Sequence, residues 1–220
     1  MKCNDCCLFV RARKPEQVAQ RRESIIVAMA DLLREMKPEQ ISLNEVARRA
    51  GLAKSNLYRY FDSREAILLE LLKEDSLHWI MKAELALKSL ESSNDMTATT
   101  TTLAKVTAAE TRMCQLLSQI SSGMEQQISD TVIFTFNQHI EDMLDRLTQA
   151  LHKTLPALPL NELSQAMRYV IALLIGLWQQ SNLSKSALSL KEMAFEEELQ
   201  KGLLLIFCGL ANAKNKNIVI

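Results

Sequence analysis

Apolar residues in the first third of the chain recur at helical spacing. Ile25, Met29, Leu32, Leu33 and Met36 fall at i, i+4, i+7, i+8 and i+11, which is one face of an amphipathic helix, and Pro15 followed by Glu16 suits its first turn. That helix ends near Lys37-Pro38. Ser42-x-x-Glu45 forms a capping box that opens a short second helix, with Leu43, Val46, Ala47 and Ala50 inward and Gly51 at the position just past its end. Lys54 to Phe61 predicts about two further turns of helix. Asp62 or Ser63 then caps a long fourth helix running to roughly Leu90, with Glu65 answering Asp62 three residues on.

The segment Glu91 to Thr102, ESSNDMTATTTT, is polar, short-side-chained and rich in capping residues, so it predicts a loop. Beyond it the periodicity predicts helices at about 103–121, 130–153, 161–181 and 190–211, with breaks at Ser121-Ser122-Gly123 and Pro156 to Pro159. The pattern describes a three-helix head joined through the fourth helix to a larger helical body.

Composition strengthens that picture. A chain of 220 residues with 48% hydrophobic and 24% charged residues can bury a core without disulfide staples. Only 5 Gly and 4 Pro are present, too few for the turns an all-β chain needs, so the fold class is all-α. The same counts remove several chemistries. Gly51, Gly123, Gly176, Gly202 and Gly209 cannot be arranged as G-x-G-x-x-G or as a phosphate-cradling P-loop. His78, His139 and His152 form no H-E-x-x-H, and no G-x-S-x-G elbow occurs. An acid-base or metal cluster can be drawn from His139, Glu141, Asp142 and Asp145, but their spacing is simply that of the polar face of a helix. The expectation is therefore a protein that is not an enzyme and needs no metal or cofactor.

Cys3-x-x-Cys6-Cys7 lacks a second ligand pair and reads as part of an N-terminal extension over residues 1–18. The apolar runs Tyr169 to Trp178 and Gly202 to Ala211 span about ten residues where a membrane crossing takes ~20, and the N-terminus has no signal-peptide core. A cytoplasmic protein without membrane association is expected, with Cys3, Cys6, Cys7, Cys114 and Cys208 reduced.

Net charge is zero but unevenly placed. Residues 1–64 carry 13 Lys+Arg against 8 Asp+Glu, net +5, and residues 65–220 carry 13 against 18, net −5. A basic head on an acidic body suits a polyanion partner.

Two short helices joined at Ala50-Gly51-Leu52, with small Ala47 and Ala50 where they cross, have the form of a helix-turn-helix. The segment Ile41 to Leu68, ISLNEVARRAGLAKSNLYRYFDSREAIL, closely resembles the DNA-binding core of the TetR family of bacterial transcription regulators, including its Leu57-Tyr58-x-Tyr60-Phe61 signature and the Ser63-Arg64-Glu65 start of the fourth helix. The resemblance is strong over residues 19–79, with the motif at 42–61, and looser over the body at 80–220, where Met124 to Phe136 and Gly176-Leu177-Trp178 look like segments of one C-terminal subgroup. It implies that Ser42 and Arg64 anchor phosphates of a double-stranded operator. Lys54, Ser55, Asn56 and Arg59 would face base edges, Tyr58 and Tyr60 would press on the backbone, and Leu57 and Phe61 would stay in the core.

The chemistry agrees: Arg and Lys donate to guanine O6 and N7, Asn pairs with adenine N6 and N7, and hydroxyls suit phosphate oxygens. One departure is Ala53, where the family usually offers a Ser or Thr to cap the recognition helix; Ser55 is the nearest substitute.

The function implied is a dimeric transcription regulator, a repressor released from a palindromic operator by a small-molecule effector. The alternative is a dimeric helical architectural or interaction protein that binds DNA without an effector. For the homodimer, Met167, Val170, Ile171, Leu174 and Trp178 run along one helix and Phe195, Leu199, Leu203, Ile206 and Leu210 along the next, with further apolar residues such as Leu173, Ile175, Leu205 and Phe207 on other faces. For the effector pocket, the candidates are the bulky and polar residues of the body: His78, Trp79, Met113, Phe134, Phe136, Asn137, His139, Tyr169 and Gln179.

Overall fold

The structure is a computed structural model that describes residues 15–120, 128–182 and 194–215. Among these it contains nine α-helices and no strand. The chain divides into two compact units, Met1–Ile67 and Leu68–Ile220.

In the first unit, α1 (Pro15–Glu35) buries Ile25, Ile26, Ala28, Met29 and Leu32, while Leu33 and Met36 are half-buried. α2 (Leu43–Arg49) contributes Val46 and Ala47. Ile41 and Leu57 complete a core in which each fully buried large aliphatic is worth about 1.5–3 kcal/mol of transfer free energy. The Arg22 guanidinium stacks over the Phe61 ring, 4.2 Å from its centroid, and donates to the Tyr60 carbonyl at 3.2 Å.

α3 is shorter than the expected two turns. It spans Lys54–Leu57, and the chain continues to Phe61 through tight bonds from the Arg59 N–H to the Asn56 carbonyl and from the Tyr60 N–H to the Leu57 carbonyl. Its N-cap is Ala53, whose methyl accepts nothing, and Ser55 does not replace the missing cap. α4 (Arg64–Leu87) starts behind Ser63, whose Oγ accepts from the Ala66 N–H at 3.0 Å; of the two capping candidates, Ser63 holds the position. A 3-10 turn over Lys88–Leu90 finishes this segment.

The second unit contains most of α4 and five more helices. These are α5 (Met96–Ala108), α6 (Thr111–Ile120), α7 (Asp130–Thr154), α8 (Leu160–Ser181) and α9 (Phe195–Asn215). α9 packs against α5 and α8, and α8 also packs against α6 and α7.

The loop expected over residues 91–102 is helical from Met96 onward. Asp95 caps it by accepting from the Ala98 N–H at 2.8 Å, and Thr99 and Thr100 turn their hydroxyls onto the carbonyls of Asp95 and Met96 at 2.7 and 2.9 Å. Their polar groups thus satisfied, both threonines are buried, and burial outweighs their weak helix propensity. The single helix expected over 103–121 is instead two, parted at Ala109-Glu110. The expected break at 121–123 and residues 190–193 of the last helix lie outside the described residues.

Six of the ten residues in the apolar stripes expected at a dimer contact also serve the interior of this unit, and Ile171, Trp178, Phe195 and Ile206 are half-buried. Met167, Val170 and Leu174 on α8, and Leu199, Leu203, Phe207 and Leu210 on α9, are all buried within it. Trp178 and Phe195 meet edge to face with ring centroids 5.0 Å apart. Among the described residues, the large hydrophobic side chains that α8 and α9 leave exposed are Leu160, Tyr169 and Leu205.

Candidate nucleic-acid interface and ligand cavity

The turn between α2 and α3 is fixed by backbone chemistry. The Leu52 N–H donates to the Ala47 carbonyl at 2.8 Å and the Gly51 N–H to the Arg48 carbonyl at 3.2 Å, the paired bonds of a Schellman motif, with Gly51 in the left-handed region at φ 66°. At the other end of α2 the capping box is closed on both sides. The Glu45 N–H donates to Ser42 Oγ at 3.3 Å, and the Ser42 N–H and hydroxyl donate to Glu45 Oε2 at 3.0 and 2.9 Å. Those donors, the backbone N–H foremost, hold the Glu45 carboxyl below the usual carboxylate range.

α3 presents its core face through Leu57, which is fully buried, while Lys54, Ser55, Tyr58 and Arg59 are exposed and Asn56 and Tyr60 half-buried. Among the described residues the side chains of Lys54, Asn56, Tyr58 and Arg59 make no hydrogen bond or ion pair within the chain. Two cations, an amide and a phenol therefore stand free on α3 and the turn that follows it.

Arg64 is different. Its Nη1 donates to the Ile41 and Pro38 carbonyls at 3.2 and 3.4 Å, and its Nε donates to Glu65 Oε1 at 2.9 Å. It ties the segment before α2 to the first turn of α4, so it positions the motif through its packing. On the outer surface of this unit Arg49 grips Glu35 with both Nη atoms, at 2.8 and 2.7 Å, a pairing that lowers the Glu35 pKa.

The second unit encloses a cavity of about 160 Å³ walled by α4 to α9. Of the candidate residues, Trp79, Met113, Phe136 and Asn137 line it. His139 stands one layer back, with its Nε2 3.3 Å from Oγ of Ser76, a lining residue. Because Ser76 Oγ–H donates to the Leu72 carbonyl at 2.7 Å, the imidazole is the donor in this pair. Burial, with the positive charge of Lys73 second, lowers the pKa of His139.

Four candidates do not reach the cavity. His78 and Tyr169 each precede a lining residue, Trp79 and Val170, and one step along a helix turns a side chain by 100°, here into solvent. Phe134 lies two residues before Phe136 and is 63% exposed. Gln179 is exposed and donates through Nε2 to the Ser118 carbonyl at 3.1 Å.

Among the lining residues that sequence reasoning did not assign to the cavity are Leu72, Ser76, Thr107, Leu199 and Leu203. Leu72, Ser76 and Trp79 stand at i, i+4 and i+7, a helical stripe that marks the wall once Trp79 is placed. Among the described residues no group of three or more His, Cys, Asp or Glu side chains is placed to hold a metal, and no helix is long and apolar enough to cross a membrane. Cys114 is buried, which pushes its thiol up to about 12.

Residues 25–71 match the family model described as bacterial regulatory proteins, tetR family, and residues 73–214 match that described as tetracyclin repressor-like, C-terminal domain. The chain belongs to the TetR family. HTH-type transcriptional regulators from two strains of Mycobacterium tuberculosis are 42% identical to it over 59 residues, which is 27% of this chain and 28% of theirs. The chain thus spans 28% of the length of these curated relatives. The TetR fold extends further than that sequence match. A tetR-family transcriptional regulator from Streptomyces coelicolor superimposes with a TM-score of 0.62 at 14% identity, covering 91% of this chain and 85% of that one. The fatty acid degradation regulator FadR from Bacillus halodurans gives a TM-score of 0.56 at 17% identity, covering 91% and 98%.

Proposed function

We propose that this TetR-family regulator binds double-stranded DNA through α3 and the turn that follows it, and that it represses transcription until a small molecule enters the cavity of the second unit. The observation that carries the DNA-binding reading is the free polar face of α3 and its following turn, where Lys54, Asn56, Tyr58 and Arg59 have no partner among the described residues, while Arg49, Arg112 and Arg146 are forked onto carboxylates. Lys54 and Arg59 supply donors for guanine edges or phosphates and Asn56 a bidentate match for adenine. Ser42, Ser55 and Tyr60 complete the contact set at the edges, and Arg64 holds the motif in shape.

The active species is a homodimer. Tyr169 and Leu205, 58% and 74% exposed on helices packed against each other, lie where a second copy would cover them. Leu205→Glu in light scattering should then shift the wild-type dimer to monomer. A wild type already monomeric at micromolar concentration contradicts the dimer.

α4 couples the two activities through its own continuity. It carries Arg64 of the motif at one end, and Leu72, Ser76 and Trp79 of the cavity wall farther along. A ligand that favours one arrangement of that wall shifts the population away from the DNA-competent form, and a differential affinity of a few kcal/mol suffices.

The test is selection of bound duplexes from a random library. The reading predicts enrichment of a palindrome with half-sites ~34 Å apart. Wild type that enriches nothing, or a Lys54/Asn56/Arg59 triple alanine variant that enriches the same sites, refutes it.

A further inference from the structure

We propose that the effector is an uncharged molecule about the size of a single six-membered ring, with an apolar body and one hydrogen-bonding group directed at Asn137. This inference rests on the cavity being the effector site. Its volume, about 160 Å³, is close to that of an engineered apolar cavity of roughly 150 Å³ that holds benzene.

Charge is excluded by the walls. Among the described residues no Asp, Glu, Lys, Arg or His lines the cavity, and an ion entering it would lose its hydration with no partner in return. The His139 ring is set back behind Ser76, and burial lowers its pKa, which disfavours its charged form.

The buried hydroxyls of the wall are already engaged. Ser76 donates to the Leu72 carbonyl at 2.7 Å and faces the His139 ring, and Thr107 donates to the Leu103 carbonyl at 2.7 Å and accepts from Trp79 Nε1 at 3.0 Å. Each hydroxyl has spent its one proton on a backbone carbonyl and one lone pair on a ring N–H, so neither can donate to a ligand without breaking a bond within the protein. Asn137 is the exception. It lines the cavity yet is solvent-exposed, which places it at the opening, and its amide makes no hydrogen bond within the chain among the described residues. It offers both a donor and an acceptor to one end of a ligand whose remainder lies among aliphatic and aromatic side chains.

The experiment uses the full chain and four probes of one size at pH 7.5: toluene, benzyl alcohol, benzoate and benzylamine, with affinities measured by calorimetry and thermal shift. Toluene and benzyl alcohol should bind, and benzoate and benzylamine should bind at least tenfold more weakly. Asn137→Leu, at an exposed position where the fold is not at risk, should weaken benzyl alcohol about fivefold relative to toluene. Leu144→Phe, at a half-buried wall position, should weaken both neutral probes together. The inference is overturned if a charged probe binds as tightly as benzyl alcohol, if Asn137→Leu leaves the alcohol-to-toluene ratio unchanged, or if no probe binds at millimolar concentration. Release of DNA is read separately: a neutral probe that binds without releasing DNA contradicts the effector reading while upholding the ligand class.

Discussion

Three bidentate arginine-carboxylate pairs in this protein have similar bond lengths and should differ sharply in worth, because the burial of their carboxylates separates them. Arg112 Nε donates to Asp75 Oδ2 at 2.7 Å while its Nη2 meets the other oxygen, and the Asp75 side chain is only 8% exposed against 34% for Arg112. Arg146 grips Glu84 in the same way at 2.9 and 2.6 Å, but those side chains are 41% and 36% exposed. In the Arg49–Glu35 pair the carboxylate is the exposed partner, at 53% against 31% for Arg49. Removing the cation from a fully buried pair costs about 3–5 kcal/mol, since the stranded carboxylate cannot be resolvated. Water reaches a third of Arg112, so Arg112→Met should cost about 2–3 kcal/mol, while Arg146→Met should cost under ~1 kcal/mol.

Urea unfolding followed by circular dichroism, at one protomer concentration because dimerisation shifts the midpoint, reads these differences directly. Asp75→Leu combined with Arg112→Met should return to within ~1 kcal/mol of wild type, because no charge is then left buried alone. Equal losses for Arg112→Met and Arg146→Met, or a double variant as unstable as the single, would refute the reasoning. The pair also bears on function. Asp75 and Arg112 immediately precede Ser76 and Met113 in the cavity wall, so Arg112→Met should loosen the joint between α4 and α6 and weaken probe binding together with stability.

Other consequences follow from the motif and from His139. Ser42→Ala should cost ~1 kcal/mol by opening the capping box, and Gly51→Ala about 1–2 kcal/mol from the left-handed backbone alone, because a Cβ there meets nothing within 4 Å; thermal unfolding checks both. His139 has a folded-state pKa below its unfolded value near 6.5, so the unfolded chain takes up the proton first, and stability should fall as pH drops from above that value through the folded pKa. His139→Gln should flatten that part of the profile in urea midpoints taken between pH 7.5 and 5; an unchanged profile places the titration elsewhere.

What the sequence reveals about this protein divides by the range of the interactions involved. The helix-turn-helix was legible because its determinants are local: Ser42 and Glu45 three apart, Gly51 one step past a helix end, and Leu57 and Phe61 spaced to face one core. α5 was not, because a run of threonines reads as a loop until their hydroxyls have backbone carbonyls to bond and an apolar neighbour, α9, to bury them. The cavity was half legible. Trp79, Met113 and Asn137 were found by residue type, but type does not fix helical phase, so His78, Phe134 and Tyr169 were counted although they turn to solvent. On α8 and α9 apolar periodicity does not say which partner each residue serves: Met167, Val170, Leu174, Leu199, Leu203 and Leu210 go to the unit's own core, whereas Tyr169 and Leu205 stay exposed.

The central claim is that the free face of α3 reads DNA, and fluorescence anisotropy of a selected duplex titrated with full-length protein across a salt series tests it most directly. Affinity should fall linearly on a log-log plot, with Lys54→Ala reducing the slope by about 1 as one phosphate contact is lost. Asn56→Ala should keep the slope and lose ~1–3 kcal/mol of discrimination at one base position. A Lys54/Asn56/Arg59 triple alanine variant that binds with wild-type affinity and wild-type slope would contradict the account.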